Sequence, residues 1–200
     1  MLGWVDLSSH GGAVAAASGE EGRPGIGELS PGTVEDERGY GMLMYQSNSI
    51  ILGGGLNHII DFSISRVDAG STAEWRAGFM QSSGDVGAYF KFIPDATTGG
   101  HLWFTCQDAS GNEEHDLLSD PNAKWFRYRI EVAPDASQVC VYRSGTGSHE
   151  DLPALKLLRI YRAHIPTGAC LGFAFRIRQD LEDGETNGLL RVDYFQHQVY

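Results

Sequence analysis

A chain of 200 residues with 42% hydrophobic side chains has ample material for one core, and β-sandwiches of this size commonly fold as a single domain. The 26 acidic residues outweigh 15 lysines and arginines, for a formal net charge of -11. That balance excludes a nucleic-acid partner, which needs a basic footprint, and argues equally against docking on an anionic membrane.

In chain order, residues 1–39 and 40–200 read differently. The first part has one apolar run, Trp4-Val5-Asp6-Leu7, followed by a long stretch rich in Gly, Ala, Ser, Glu and Pro. So long a connection is unusual inside a compact domain, and the expectation is an N-terminal strand plus an extended arm. Residues 3–8 should pack on the parent sandwich or on a neighbouring subunit. From residue 40 on, short apolar or alternating runs predict strands near 41–46, 49–53, 58–67, 73–81, 87–93, 101–107, 124–132, 138–143, 155–163, 170–178 and 189–199. Separators such as Ser-Ser-Gly-Asp and Asp-Ala-Ser-Gly-Asn supply the turn chemistry of hairpins. The segment nearest to helical spacing is 151–162, and it too is read as strand. The fold class is therefore all-β, an antiparallel two-sheet sandwich.

Alternation assigns the faces. Phe126, Tyr128, Ile130 and Val132 should face the core; so should Leu171, Phe173, Phe175 and Ile177, and Leu190, Val192 and Tyr194. The opposite faces carry Trp125, Arg127, Arg129 and Glu131, then Arg176 and Arg178, then Arg191, Asp193 and Phe195. The outward arginines are expected to form a surface ladder with Glu131 and Asp193 or a polar interface. Trp4, Arg127, Arg129, Arg176 and Arg178 are the interface candidates.

No catalytic set emerges. An E-x-D-x-E pattern of paired carboxylates is absent, and Glu113, Glu114 and Asp116 sit beside a predicted turn, as in a solvated loop. No two of the seven histidines stand at metal-ligand spacing, and no cofactor is implied. Calcium is weighed at Asp180, Glu182, Asp183 and Glu185 in the acidic hairpin 179–188, because oxygen-rich loops hold Ca²⁺; a solvated hairpin is the preferred reading, so no metal is assigned. Cys106, Cys140 and Cys170 are an odd set without CxxC spacing and read as small hydrophobes in strands. Trp103, Trp125 and Tyr89 are candidates for stacking on sugar rings, but core or interface packing is the preferred reading.

An ordered series of fragments carries a resemblance: Gly22-Arg23-Pro24-Gly25-Ile26 with Leu29-Ser30-Pro31-Gly32-Thr33, then Trp75-Arg76-Ala77-Gly78-Phe79, Gly87-Ala88-Tyr89-Phe90, residues 125–132, Ile165-Pro166-Thr167-Gly168-Ala169, Phe175-Arg176-Ile177-Arg178 and Val192-Asp193-Tyr194. The series resembles a bacteriophage virion structural module, a concanavalin A-like jelly roll of head fibres, capsid decoration proteins and tail adhesins. The resemblance implies that fold and a place on the virion surface. It further implies self-association as a homotrimer and the major capsid protein or a tail protein as partner. It carries over no site residues, because function resides in sites grafted on folds. The expected function is a non-enzymatic decoration or fibre subunit, with a carbohydrate-binding adhesin recognising host glycans as the alternative. The loop before Ile165, with Lys156, Arg159, Arg162 and His164, and the hairpin 179–188 depart from the module and are expected to meet a neighbour.

Overall fold

The computed structural model describes residues 4–9, 12–16, 27–31, 39–67, 73–94, 100–119, 125–145, 153–179 and 188–200. Among them are fourteen strands and no helix. They are β1 (Trp4–Asp6), β2 (Ala13–Ala16), β3 (Gly27–Ser30), β4 (Gly39–Ile50), β5 (His58–Val67), β6 (Glu74–Met80), β7 (Gly87–Ile93), β8 (His101–Gln107), β9 (Asn112–Ser119), β10 (Trp125–Val132), β11 (Val139–Arg143), β12 (Lys156–Tyr161), β13 (Leu171–Gln179) and β14 (Leu189–Val199). The first sheet has the order β1-β4-β13-β6-β7-β8-β9 and the second β12-β11-β10-β5-β14-β3-β2. Every pairing of neighbouring strands is antiparallel.

The core lies between the sheets because alternate residues of the central strands are apolar. From the first sheet come Trp75, Ala77, Phe79, Phe90, Phe92, Phe104, Phe173 and Phe175; from the second come Phe62, Phe126, Tyr128, Ile130 and Val132. Phe62 is a hub, with ring centroids 5.4 Å from Tyr128, 5.4 Å from Phe173 and 5.6 Å from Phe175. Pairs at this spacing add to the area they bury.

Most expected strands and both long alternations are present as expected; four readings are corrected. The segment 41–46 and the start of 49–53 form one strand, β4, which ends at Ile50. The stretch 112–119, expected as a solvated loop, is β9, paired with β8 through Thr105 opposite Glu114 and Phe104 opposite His115. Its polar composition suits an edge strand, where charged side chains discourage further pairing. In β14 the register against β5 shifts between Val192 and Tyr194. This bulge reverses the faces expected beyond it: Tyr194 is exposed and Phe195 packs on the core. The reversal follows because one inserted residue exchanges the two sides of a period-two strand. Finally, Cys106 is buried and Cys140 half-buried, but Cys170 is exposed and so is no core hydrophobe; all three thiols are free.

The described residues of 1–39, expected as strand plus arm, lie in both sheets. β1 pairs with β4 at the edge of the first sheet, while β3 pairs with β14 and β2 with β3 at the edge of the second. Leu29 is wholly buried in the core. Trp4 packs on the chain's own sandwich, with centroids 5.2 Å from Tyr45 and 5.0 Å from Phe195.

Candidate functional site

The strand order decides which candidates share a surface. On the first sheet the residues that alternate with the core point outward: Glu74 and Arg76 on β6, Tyr89 and Lys91 on β7, His101 and Trp103 on β8, Glu114 and Asp116 on β9, Arg176 and Arg178 on β13. Pairing sets them in rows across the strands. One row runs Arg176, Arg76, Lys91, Trp103, Asp116, each directly opposite the next. The row beside it runs Ala174, Gly78, Tyr89, Thr105, Glu114. Toward β4 the same face is apolar, with Met42, Met44, Met80 and Ala174 buried against Leu7 and Tyr40. The polar part is therefore confined to β13 and β6 through β9.

At the β8–β9 end an open depression of about 250 Å³ is lined by Ile93, Pro94, His101, Trp103 and Asp116. His101 Nδ1 lies 2.8 Å from an Asp116 carboxylate oxygen. Next along the face, Glu114 accepts hydrogen bonds from Lys91 Nζ at 2.8 Å and from the Thr105 hydroxyl at 2.6 Å. Partial burial opposes the charge on Glu114, but those two donors outweigh it and hold the carboxyl below its ordinary range. Arg76 donates from Nε to Glu74 at 2.6 Å and from Nη1 to the Gly84 carbonyl at 2.6 Å. Arg176 Nη1 donates to the Ser83 carbonyl at 3.1 Å, and its guanidinium lies 4.6 Å from the centroid of the Tyr40 ring. The two arginines thus pin the turn between β6 and β7 onto the face. Gly84, at φ +78°, lets that turn form, and a Cβ there would collide with Arg176.

The outer face of the second sheet is built differently. Asp61 on β5 is 2% exposed. Arg129 closes a fork on it, Nε to Oδ1 at 3.0 Å and Nη2 to Oδ2 at 2.8 Å, and Arg127 Nη2 approaches to 3.4 Å. Arg129 also reaches Glu131 at 3.3 Å, and Glu131 accepts from the Tyr142 hydroxyl at 3.0 Å. Arg191 pairs with Glu28 at 3.1 Å.

The sequence candidates therefore divide between two surfaces. Of the stacking candidates, Trp103 is half-buried in the depression and Tyr89 is on the same face, but only 2% of Tyr89 is exposed. Its hydroxyl lies 3.5 Å from both Arg76 Nη1 and Gln107 Oε1, so it is part of the floor rather than an open platform. Trp125 is on β10 of the other sheet. Arg127 and Arg129 are separated from Arg176 and Arg178 in the same way, and the expected joint cluster of arginines does not form. Asp61 was missed because it reads as one more outward residue of β5; its cross-strand position opposite Arg129 is set by pairing alone. Glu114 and Asp116 were missed as face residues because β9 was read as a loop.

The loop before Ile165 folds on its own domain. Glu113 accepts from the backbone of Arg162 and Ala163 at 3.2 and 3.0 Å, and His164 approaches Asp108 at 3.3 Å. Hydrogen bonds from the Ser110 hydroxyl and backbone, with His164 and Gly111 adding, hold Asp108 down to about 2. Asp180, Glu182, Asp183 and Glu185 lie outside the described residues. Among the described residues no group of three or more His, Cys, Asp or Glu is placed to hold a metal ion. Nor is any helix there long and apolar enough to cross a membrane, which leaves β-barrels unaddressed.

The sequence matches no family model and no curated protein. Solved structures do match in shape. A sialidase aligns with TM-score 0.62 at 11% identity over 98% of this chain, which spans only 17% of that protein. Lectin UEA-II in complex with galactose aligns with TM-score 0.61 at 10% identity, over 98% of this chain and 92% of the lectin. Alginate lyase AlyC3 in complex with dimannuronate aligns with TM-score 0.57 at 11% identity, over 87% and 74%. At such identities the likeness speaks for the fold, and the fold is the concanavalin A-like jelly roll of lectins.

Proposed function

We propose that this domain is a non-catalytic saccharide-binding module, and that it binds through the outer face of the first sheet at Trp103. The observation that carries the reading is the indole of Trp103 in an open depression beside the His101–Asp116 pair. A sugar ring offers an apolar C–H face that stacks on an aromatic plane, while a carboxylate and an imidazole beside that plane take up its hydroxyls. The galactose-bound lectin and the dimannuronate-bound lyase of the same fold support a sugar as the ligand class.

The non-catalytic half of the reading has its own support. Glycoside hydrolysis needs one carboxyl that holds its proton near neutral pH. Glu114, on the same face as Asp116, is held ionised by Lys91 and Thr105, the reverse of what a general acid requires. The purified domain should release no reducing sugar from any polysaccharide it binds.

The deciding experiment is titration of tryptophan fluorescence with a panel of oligosaccharides, followed by calorimetry on those that respond. Trp103→Ala should abolish binding and Trp125→Ala should leave it intact. Loss in Trp125→Ala alone would move the site to the other sheet and end this reading.

A second reading, a decoration or fibre subunit at the virion surface, rests on the ordered sequence fragments that resemble the phage module. The structural neighbours named above include no virion protein. Its associated proposals are a homotrimer and a capsid or tail partner, since surface appendages repeat about symmetry axes. Co-sedimentation with purified capsids together with a trimer mass by light scattering would support it. A monomer that ignores capsids would remove it.

A further inference from the structure

Arg176, Arg76 and Lys91 stand directly opposite one another on three adjacent strands. Adjacent strands are ~4.8 Å apart, and like charges directly opposite are destabilising. Two such contacts in succession, in a chain of net charge -11, need an explanation. Arg76 and Lys91 are each offset by one carboxylate, Glu74 and Glu114. Arg176 is not: among the described residues no carboxylate forms an ion pair with it, its Nε is buried without a hydrogen-bond partner, and its named contacts are a carbonyl and the Tyr40 ring. Burial and the positive neighbours Arg76 and Arg178 outweigh the weaker attraction of Tyr40 and Glu74 and push its pKa below the ordinary arginine value. Arg178 lies two residues along the same face, opposite Glu74. The row is therefore short of negative charge at its β13 end, and it leads at the other end to Trp103.

From this we infer that the saccharide bound on this face carries carboxylates, as a chain of uronic acids does, and lies across the strands with one ring at Trp103 and its acid groups over Lys91, Arg76 and Arg176. The inference rests on the saccharide-binding reading and names the class of sugar. The strand spacing brings successive cations under successive rings. The guanidinium of Arg176 offers a carboxylate the parallel donors that suit it. The side chains of Arg76 and Lys91 are 16% and 15% exposed, sheltered enough that screening by solvent is reduced yet open on one side. A neutral sugar would leave the Arg176 charge unmet.

The test is calorimetric titration of the full chain with oligomannuronate and with the same oligomer after its carboxyls are reduced to alcohols. The acid form should bind about tenfold tighter or better, the size of a charge-assisted contact, and added salt should erode that margin. Lys91→Met and Arg176→Gln should each remove most of the margin and leave affinity for the reduced oligomer as it was. Arg176 also holds the β6–β7 turn; Lys91 does not, so Lys91→Met decides if Arg176→Gln folds poorly. Equal affinity for the two oligomers, or a margin that survives both substitutions, overturns the inference. Binding of neutral sugars alone, still lost in Trp103→Ala, also overturns it and leaves the saccharide-binding reading standing. No binding of any sugar removes both.

Discussion

On the outer face of the second sheet, Arg129 forks onto the buried Asp61 and Arg191 pairs with Glu28; on the outer face of the first, Arg176 meets a carbonyl, a tyrosine ring and two other cations. Both surfaces come from strands whose outward positions read alike, alternate arginines among apolar residues. They differ in what lies across the ladder. Asp61 stands opposite Arg129, whereas Arg76 stands opposite Arg176. The number of arginines on a face therefore says little about its role. What matters is whether the neighbouring strand brings a carboxylate, and an arginine that faces another cation across the ladder, as Arg176 faces Arg76, is the one left to bind something else.

The comparison presupposes one core carrying both sheets. Phe175→Ala should cost about 3–5 kcal/mol, as deletion of a buried aromatic does, because Phe175 touches Phe62 of the opposite sheet. Urea titration checks it, and a loss below about 1 kcal/mol would mean the faces are not backed by a shared core. At one end of that core His58 and His197 stack, Nδ1 to Nε2 at 3.2 Å, beside Phe79 and Tyr45. Burial lowers His58, and burial with the His58 charge lowers His197 to about 4. The unfolded chain protonates these rings near their ordinary value of 6.5, above where the folded protein protonates them. Stability is then full above that value and falls as pH drops toward 4, by at most ~1.4 kcal/mol per pH unit for each ring. Urea midpoints taken from about pH 7 down to about pH 4.5 should decline, and a His197→Asn variant should decline less.

Two smaller effects separate the faces directly. Arg129→Ala leaves Asp61 with Arg127 alone and should cost about 1–3 kcal/mol, with saccharide affinity unchanged. Lys91→Met should do the opposite, a stability change within about 1 kcal/mol and a loss of most of the preference for acidic over reduced sugars. If both substitutions moved stability and neither moved binding, the contrast between the faces would be empty.

The sandwich was legible in the sequence because its strands alternate cleanly: Phe126 to Val132 and Leu171 to Ile177 show every second residue apolar, and turns rich in Gly, Ser and Asp separate them. β9 was not legible, since Asn-Glu-Glu-His-Asp has no apolar period and is held as a strand by β8. The reversal of Tyr194 and Phe195 was hidden for a related reason: a bulge is a property of a pair of strands and leaves no mark on either alone. The site was half legible. Alternation correctly turned Trp103 and Trp125 outward but could not assign them to different sheets. The row from Arg176 to Asp116 spans nearly the whole polar part of a face, and its members are scattered along the chain from residue 76 to residue 176. Only the strand order assembles it.

The pairing of β3 with β14 joins Leu29 to Leu190, and Glu28 to Arg191 across 163 positions of sequence. During synthesis the partner of β3 is thus made long after β3 itself, and the loop that their pairing closes spans the 163 positions between Glu28 and Arg191. Such contacts raise the contact order and slow folding. They also leave the side of β3 that meets β14 open, with β2 alone paired to it, until β14 has been made. A nascent chain stalled before residue 189 should therefore hold its central hairpins while β2 and β3 stay open to proteases, and their closure should come once β14 emerges.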